Sequence, residues 1–412
     1  MSKLYIDITN TTNYCISMNI KLTIFFSLLI IVSAFAQPEV VDYTKYKDGL
    51  LAKRQGEYEQ AVQDFSDFLE EHPEHPRSYY YRGHTYMKLG EYDKSLADFE
   101  QLCELDPKDE EAFYSAGRAA YALGNLETAV QYFSKTLNIE PFHAYALNDR
   151  GMTYCYLKEF DSAVKDFKKA VSIDSTFAMA YNNIGAARYF NQDIEVPSSY
   201  DMREAKKWFS KAIEADNTLF VSYFNRAAMN YFLKDFPASL ADLQKASALN
   251  PSEPLSYFYK GMVYRKQKKY GAAIVAFEQA IEMNENLKFA YEEIGNTYKE
   301  QEKYDSALEF YEKAQDLDRE LGGEIYSGLM YYRKAVIYAL QEDEVSMYAA
   351  LKNAKNSRVF RDKKVYQDFL REKAFRKFRL AKDFKKFAKS IQRTKKYNKF
   401  TNSELSWFRM SM

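Results

Sequence analysis

Three arginines each stand sixteen residues ahead of an aspartate: Arg82 and Asp98, Arg150 and Asp166, Arg226 and Asp242. A guanidinium and a carboxylate pair well through two parallel hydrogen bonds, so this recurrence predicts three structural ion pairs rather than catalysis. Other residues able to do chemistry are sparse. His72-Pro-Glu-His75 has a spacing that could serve a metal, but it lies in a turn beside two prolines, with no Cys nearby. An i,i+3 pair outside a helix fixes no ligand geometry, so a solvated turn is expected. The sequence holds no G-x-x-x-x-G-K-[ST], no H-E-x-x-H and no G-x-S-x-G. No catalytic residue, metal or cofactor is therefore assigned. Cys103 and Cys155 are expected as small core residues rather than a disulfide.

Those ion pairs need elements that bring residues sixteen apart together. Gly83, Gly117, Gly151 and Gly185 are each 34 residues apart, as are Gly261 and Gly295. Counting the recurring glycine as position 8, position 24 is Phe65, Phe99, Phe133, Phe167, Phe209, Leu243, Phe277 and Tyr311. Position 20 is small throughout, as in Ala61, Ser95, Ala129 and Ala163. Positions 4, 8 and 11 form one helical stripe, and 20, 24 and 27 another. Two antiparallel helices then meet where the side chains are smallest, which places position 7 beside position 23. The arginines hold position 7 and the aspartates position 23. Repeats 3, 5 and 8 have neither, with Ala116 and Tyr132, Ile184 and Trp208, and Ile294 and Phe310, while repeat 7 has Lys260 with Ala276 and repeat 1 Asp48 with Asp64.

The spacing and these positions resemble the tetratricopeptide repeat. The resemblance implies an all-α fold, a right-handed superhelical solenoid of helix-turn-helix repeats with first helices lining its concave side. It covers eight repeats over 42–321 and a degenerate ninth over 322–361, and a basic helical cap or tail follows over 362–412. An eight-residue insertion falls in repeat 5 near 193–200, either a tolerated surface loop or a contact loop. Gly322-Gly323 marks a longer connection, and Lys45 makes repeat 1 an outer face.

Positions 2, 5, 9 and 12 of the first helices form the stripe where the resemblance puts ligands. In repeats 1–8 those 32 sites hold eleven aromatics. Repeats 4–7 contribute Tyr145, Asn148, Met179, Asn182, Tyr189, Phe224, Tyr231 and Phe258, with Asn225 adjacent, and these nine are the expected groove for a protein or peptide. The alternative is that tight packing buries this stripe between neighbouring repeats. The family's carboxylate clamp is not reproduced, because the asparagines lack their basic partners.

A net charge of zero hides a division. Residues 358–412 carry 18 basic and 5 acidic groups, which leaves 40 basic and 53 acidic groups before them. The tail reads as two amphipathic helices, with Phe369, Leu370, Phe375 and Phe378, then Phe384, Phe387, Ala388 and Ile391, on apolar stripes. It is either a cap or a contact to an anionic surface such as lipid headgroups. At the other end, Lys21, the apolar run Leu22 to Val32 and Ala34-Phe35-Ala36 match a secretory signal peptide. Cleavage after Ala36 would give a mature start at Gln37 and a secreted or periplasmic location, away from nucleic acid. The expected function is a non-enzymatic scaffold or adaptor, the alternative an accessory subunit of a cell-envelope enzyme complex.

Overall fold

The computed structural model describes residues 42–190, 198–320 and 325–392. The proposed signal peptide, most of the insertion, Gly322-Gly323 and the tail beyond 392 lie outside the described residues. Those described are all-α, with no strand among them, and fall into two compact units divided after Pro107.

The first unit holds two helix pairs, Thr44–Gln55 with Tyr58–Glu71 and Pro76–Leu89 with Tyr92–Leu105. The second begins with Glu110–Ala122 and Leu126–Ile139, then Ala144–Tyr156 and Phe160–Ile173, then Ala178–Phe190 and Ser199–Ala215. It continues with Phe220–Phe232 and Phe236–Leu249, Pro254–Lys266 and Tyr270–Met283, and Lys288–Glu300 and Tyr304–Glu320. Ile325–Leu340 and Glu344–Asn356 form the last pair, followed by short helices at Lys363–Arg371 and Lys382–Gln392.

Each pair closes where the glycine allows it. A Cβ added at Gly151 would lie 2.6 Å from the Phe167 ring, and one at Gly261 2.5 Å from Phe277. No real side chain tolerates that approach, so glycine is what lets the aromatic ring fill the seam. Repeat 6 changes both partners together. Ala227 stands at position 8, the smaller Leu243 stands at position 24, and both are buried. The last pair repeats the exchange with Ala335 and Leu351. Trading methyl for ring conserves volume, which a packed interior tolerates best. A fully buried ring of this kind stabilises its pair by roughly 1.5–3 kcal/mol.

The turn between the two helices passes through a left-handed residue at position 15. Early repeats use glycine there, with Gly124 at φ 78°. Later repeats use Lys158, Lys234, Lys268, Glu302 and Glu342, with φ between 59° and 64°. The end of the insertion joins the second helix of repeat 5, which starts at Ser199. The Ser198 hydroxyl accepts from Asp201 N–H at 3.2 Å, and the Asp201 carboxylate accepts from Ser198 N–H at 3.2 Å.

The His72–His75 turn has a structural role. His75 Nδ1 accepts from Ser78 N–H at 3.3 Å and so caps the helix it precedes, while His72 packs on Phe68. His143 Nδ1 caps the helix Ala144–Tyr156 in the same way. Cys103 and Cys155 are buried free thiols.

The tail forms a small aromatic core. Phe369 has ring centroids of Phe360, Phe375 and Phe384 within 5.4–5.5 Å, and all four are buried. This core joins Tyr332, Val336 and Leu351 of the last pair, so residues 359–391 cap the second unit. Leu370 departs from the expected stripe. It is exposed, because it follows Phe369 by a hundred degrees of helix turn and points away from the shared core.

Candidate functional site

The sixteen-residue pairs hold one geometry three times. Arg82 Nε and Nη2 donate to the two Asp98 oxygens at 2.9 and 2.7 Å. Arg150 does the same with Asp166 at 2.7 and 2.9 Å, and Arg226 with Asp242 at 2.9 and 2.7 Å. The third guanidinium nitrogen reaches into the preceding repeat. Arg82 Nη1 donates to Ser66 Oγ at 2.9 Å, Arg150 to Ser134 at 3.0 Å and Arg226 to Ser210 at 3.1 Å. Each serine holds position 25 of the preceding repeat. The arginine therefore closes its own helix pair and staples it to the one before, a structural duty that engages all three guanidinium nitrogens.

The first-helix stripe changes character along the second unit. In repeats 5–7 it is closed. Tyr189 is 2% exposed and Tyr231 6%, and Phe224, Phe258, Asn182 and Asn225 are buried with them. Asn148 in repeat 4 is buried too. These seven residues therefore do not line an open groove as the sequence suggested. First helices of successive repeats touch, so side chains at positions 5 and 12 meet the next repeat instead of solvent. Phe224 packs edge-on against Tyr259 at 5.3 Å between ring centroids.

The asparagines spend their amides on one another. Asn225 Nδ2 donates to Asn182 Oδ1 at 3.0 Å and Asn183 Nδ2 to Asn148 Oδ1 at 3.0 Å, while Asn182 reaches Asn183 at 3.5 Å. Asn148 Nδ2 then donates to Asp149 Oδ1 at 3.1 Å, and Tyr114 O–H to Asp149 Oδ2 at 2.8 Å. Burial, helped by Asp149, pushes the Tyr114 hydroxyl well above its ordinary pKa. One hydrogen-bonded chain thus crosses repeats 3 to 6. The sequence signal was position 6, polar from Ser115 through Asp149, Asn183, Asn225, Tyr259 and Glu293.

In repeats 7–9 the stripe becomes a buried charge cluster. Arg265 pairs with Glu293 at 2.7 Å and with Glu300 at 2.6 Å. Arg333 pairs with Glu292 at 3.0 Å, and Tyr326 O–H donates to the same carboxylate at 2.9 Å. Burial lifts Glu292 above the usual carboxylate range despite Arg333. Burial also lowers the Lys299 ammonium, reinforced by Arg333.

Within the second unit the stripe is most open at repeats 3 and 4 and the first residues of repeat 5. Tyr145 is 61% exposed and Tyr156 56%, and Met179 and Arg118 are exposed as well. Tyr121 lies against Tyr156 at 5.7 Å between centroids, and Tyr145 against Phe177 at 5.1 Å. Asp149, half-buried and fixed by Tyr114 and Asn148, sits among them. Two of the nine expected contact residues, Tyr145 and Met179, are placed where a ligand could touch them. Among the described residues no group of His, Cys, Asp and Glu is arranged to hold a metal, and no helix is long and apolar enough to cross a membrane.

No curated protein matches the sequence. Solved structures with a similar arrangement include a tetratricopeptide repeat protein from Parabacteroides merdae, 18% identical, covering 61% of this chain and 97% of its own, with a TM-score of 0.48. Another is the C-terminal part of a repeat-containing protein from Cytophaga hutchinsonii, 16% identical, covering 60% and 99%, with a TM-score of 0.46. The MamA protein is 24% identical over 42% of this chain and 90% of its own, with a TM-score of 0.38. Family models for the tetratricopeptide repeat match residues 46–110 and 82–144, 144–177 and 254–287, and 290–321. The stretch between 177 and 254 that they pass over contains the insertion and the Ala227–Leu243 exchange. With the 34-residue period, the glycine-to-ring seam and the paired helices, these matches identify the chain as a tetratricopeptide repeat protein.

Proposed function

We propose that the chain is a non-enzymatic scaffold that holds an extended peptide segment of another protein on the open first-helix face of repeats 3 and 4. The observation that carries this reading is the exposure of Tyr145 and Tyr156 on a first-helix face whose rings Tyr189, Phe224, Tyr231 and Phe258 are buried in the repeats that follow. Tyrosine offers wide contact area with few rotatable bonds. Arg118 and Asp149 beside them supply one cation and one acceptor for a ligand backbone or polar side chain. The partner meets these residues in an exported compartment, a reading that rests on the leader-like run at residues 18–36 and calls for a mature start at Gln37.

A photoreactive benzoylphenylalanine placed at Tyr156 or Tyr145 should give a cross-linked adduct in cells of the source organism. The same group at Gln131, exposed on the second helix of repeat 3, should not. Equal adducts at all three positions would remove the face assignment, and so would an adduct at Gln131 alone. N-terminal sequencing of exported protein tests the leader separately.

A further inference from the structure

The aromatic core of the cap has a consequence for its charges. Phe369, Phe375 and Phe384 are turned inward, so the apolar stripes of the two tail helices are already occupied and cannot enter a bilayer. What the cap offers outward is basic. Lys382, Lys385, Lys386 and Lys389 are all exposed on the last helix, where Asp383 is the single exposed carboxylate. In the turn before that helix, Leu380 stands 82% exposed, with Arg376 exposed on its other side. Lys377 is committed to Glu342, but no ion pair among the described residues engages Arg376 or the four lysines.

We infer that this outer face of the C-terminal cap docks on an anionic phospholipid surface, with Leu380 entering the headgroup layer between the flanking cations. Three observations select that occupant. Four of the five cations are lysines, compact hydrated charges that suit a diffuse anionic field, whereas specific phosphate or carboxylate pockets favour arginine forks. An exposed apolar side chain flanked in sequence by the exposed cations Arg376 and Lys382 fits the boundary between headgroups and acyl chains. The cap buries Phe369, Phe375 and Phe384, and among its described residues no ring is fully exposed for a nucleic-acid base to stack on. The residues before 358 carry 13 more acidic than basic groups, so an anionic plane attracts the cap and repels the rest, which orients the docked chain.

Cosedimentation of the full chain with vesicles tests this. Phosphatidylcholine vesicles with and without phosphatidylserine separate the cap from the apolar N-terminal run, which would bind both kinds alike. Each cation near an anionic bilayer strengthens adsorption about fivefold, so Lys382→Gln, Lys385→Gln, Lys386→Gln and Lys389→Gln together should weaken binding to the serine-containing vesicles by about tenfold or more. Leu380→Ser should weaken it further, and circular dichroism of both variants should match the parent. Binding should also fall as salt rises from about 0.1 M to about 1 M, where the screening length shrinks from ~10 Å to ~3 Å. Equal uptake by the two vesicle types overturns the inference, as does a fourfold variant that binds like the parent. A concentration-dependent self-association that the same substitutions abolish, without vesicle binding, overturns it in favour of a second copy of the chain.

Discussion

The Asn225 amide donates to the Asn182 carbonyl oxygen at 3.0 Å across two successive repeats, with both side chains buried. A buried amide left without a partner costs about 1–3 kcal/mol. The pair therefore holds the first helices of repeats 5 and 6 at the spacing that satisfies it. At that spacing the rings on either side, Tyr189 and Phe224, have no room to face solvent. The face that this closure leaves open lies ahead of Asn182, where the proposed peptide would sit.

Tyr145→Ala with Tyr156→Ala should weaken partner binding by roughly 2 kcal/mol or more while leaving the melting curve near that of the parent. Tyr189→Ala or Tyr231→Ala should instead lower stability by about 3–5 kcal/mol, as loss of a buried ring does. Calorimetry on the cross-linked partner, set beside thermal denaturation, distinguishes the two pairs. A binding loss at Tyr189 with unchanged stability would show that the stripe opens in solution.

The Ser134–Arg150–Asp166 triad gives a graded series. Arg150→Met strands a buried carboxylate and should cost on the order of 3–5 kcal/mol. Ser134→Ala removes one hydrogen bond of three and should cost about 1 kcal/mol. Replacing both members by Leu should be far milder than Arg150→Met alone. Shifts of the urea midpoint at constant slope measure all three, and equal costs for the single and double variants would contradict a mutually dependent pair.

The left-handed turn residues offer a stabilising change. Lys158 adopts φ 64°, which costs an L side chain roughly 1–2 kcal/mol. Lys158→Gly should recover about 0.5–1 kcal/mol, and Gly124→Ala at φ 78° should lose about as much. Opposite signs in the denaturation midpoint are the expected result. Destabilisation by both would mean that the Lys158 side chain makes contacts worth more than its strain.

Burial pushes the Cys155 thiol up to about 12. Its folded pKa is thus raised above the unfolded value of ~8.5, so the neutral thiol favours folding, fully below ~8.5. Stability should fall as the pH rises from ~8.5 through about 12, by up to ~1.4 kcal/mol per unit. Native protein at pH 8 should leave Cys155 unmodified by a thiol reagent, with reaction appearing on denaturation. Cys155→Ala should flatten the alkaline loss.

Much of this architecture is legible in the sequence because the seam depends on single side chains. A glycine sixteen residues ahead of a ring is a packing instruction that needs no neighbour to interpret. The Arg82–Asp98 pair is legible for the same reason, as both partners belong to one helix pair. The closed stripe is not, because burial of Tyr189 depends on how near the next first helix comes, a spacing set by Asn182 and Asn225 in two different repeats. Ser66, Ser134 and Ser210 escape notice likewise. Their recurrence spans two repeats, and a 34-residue alignment averages it away.

That two-repeat recurrence gives the chain a mechanical grain. The arginine staple joins repeat 1 to 2, repeat 3 to 4 and repeat 5 to 6, while repeat 5 offers Ile184 where an arginine would grip repeat 4. Pulled from its ends, the solenoid should part at unstapled junctions first and surrender repeats in couples. A couple spans about 68 residues, or about 76 where it holds the insertion, so a rupture event should release about 230 to 260 Å of contour length at ~3.4 Å per residue, twice the step of a solenoid whose repeats let go singly.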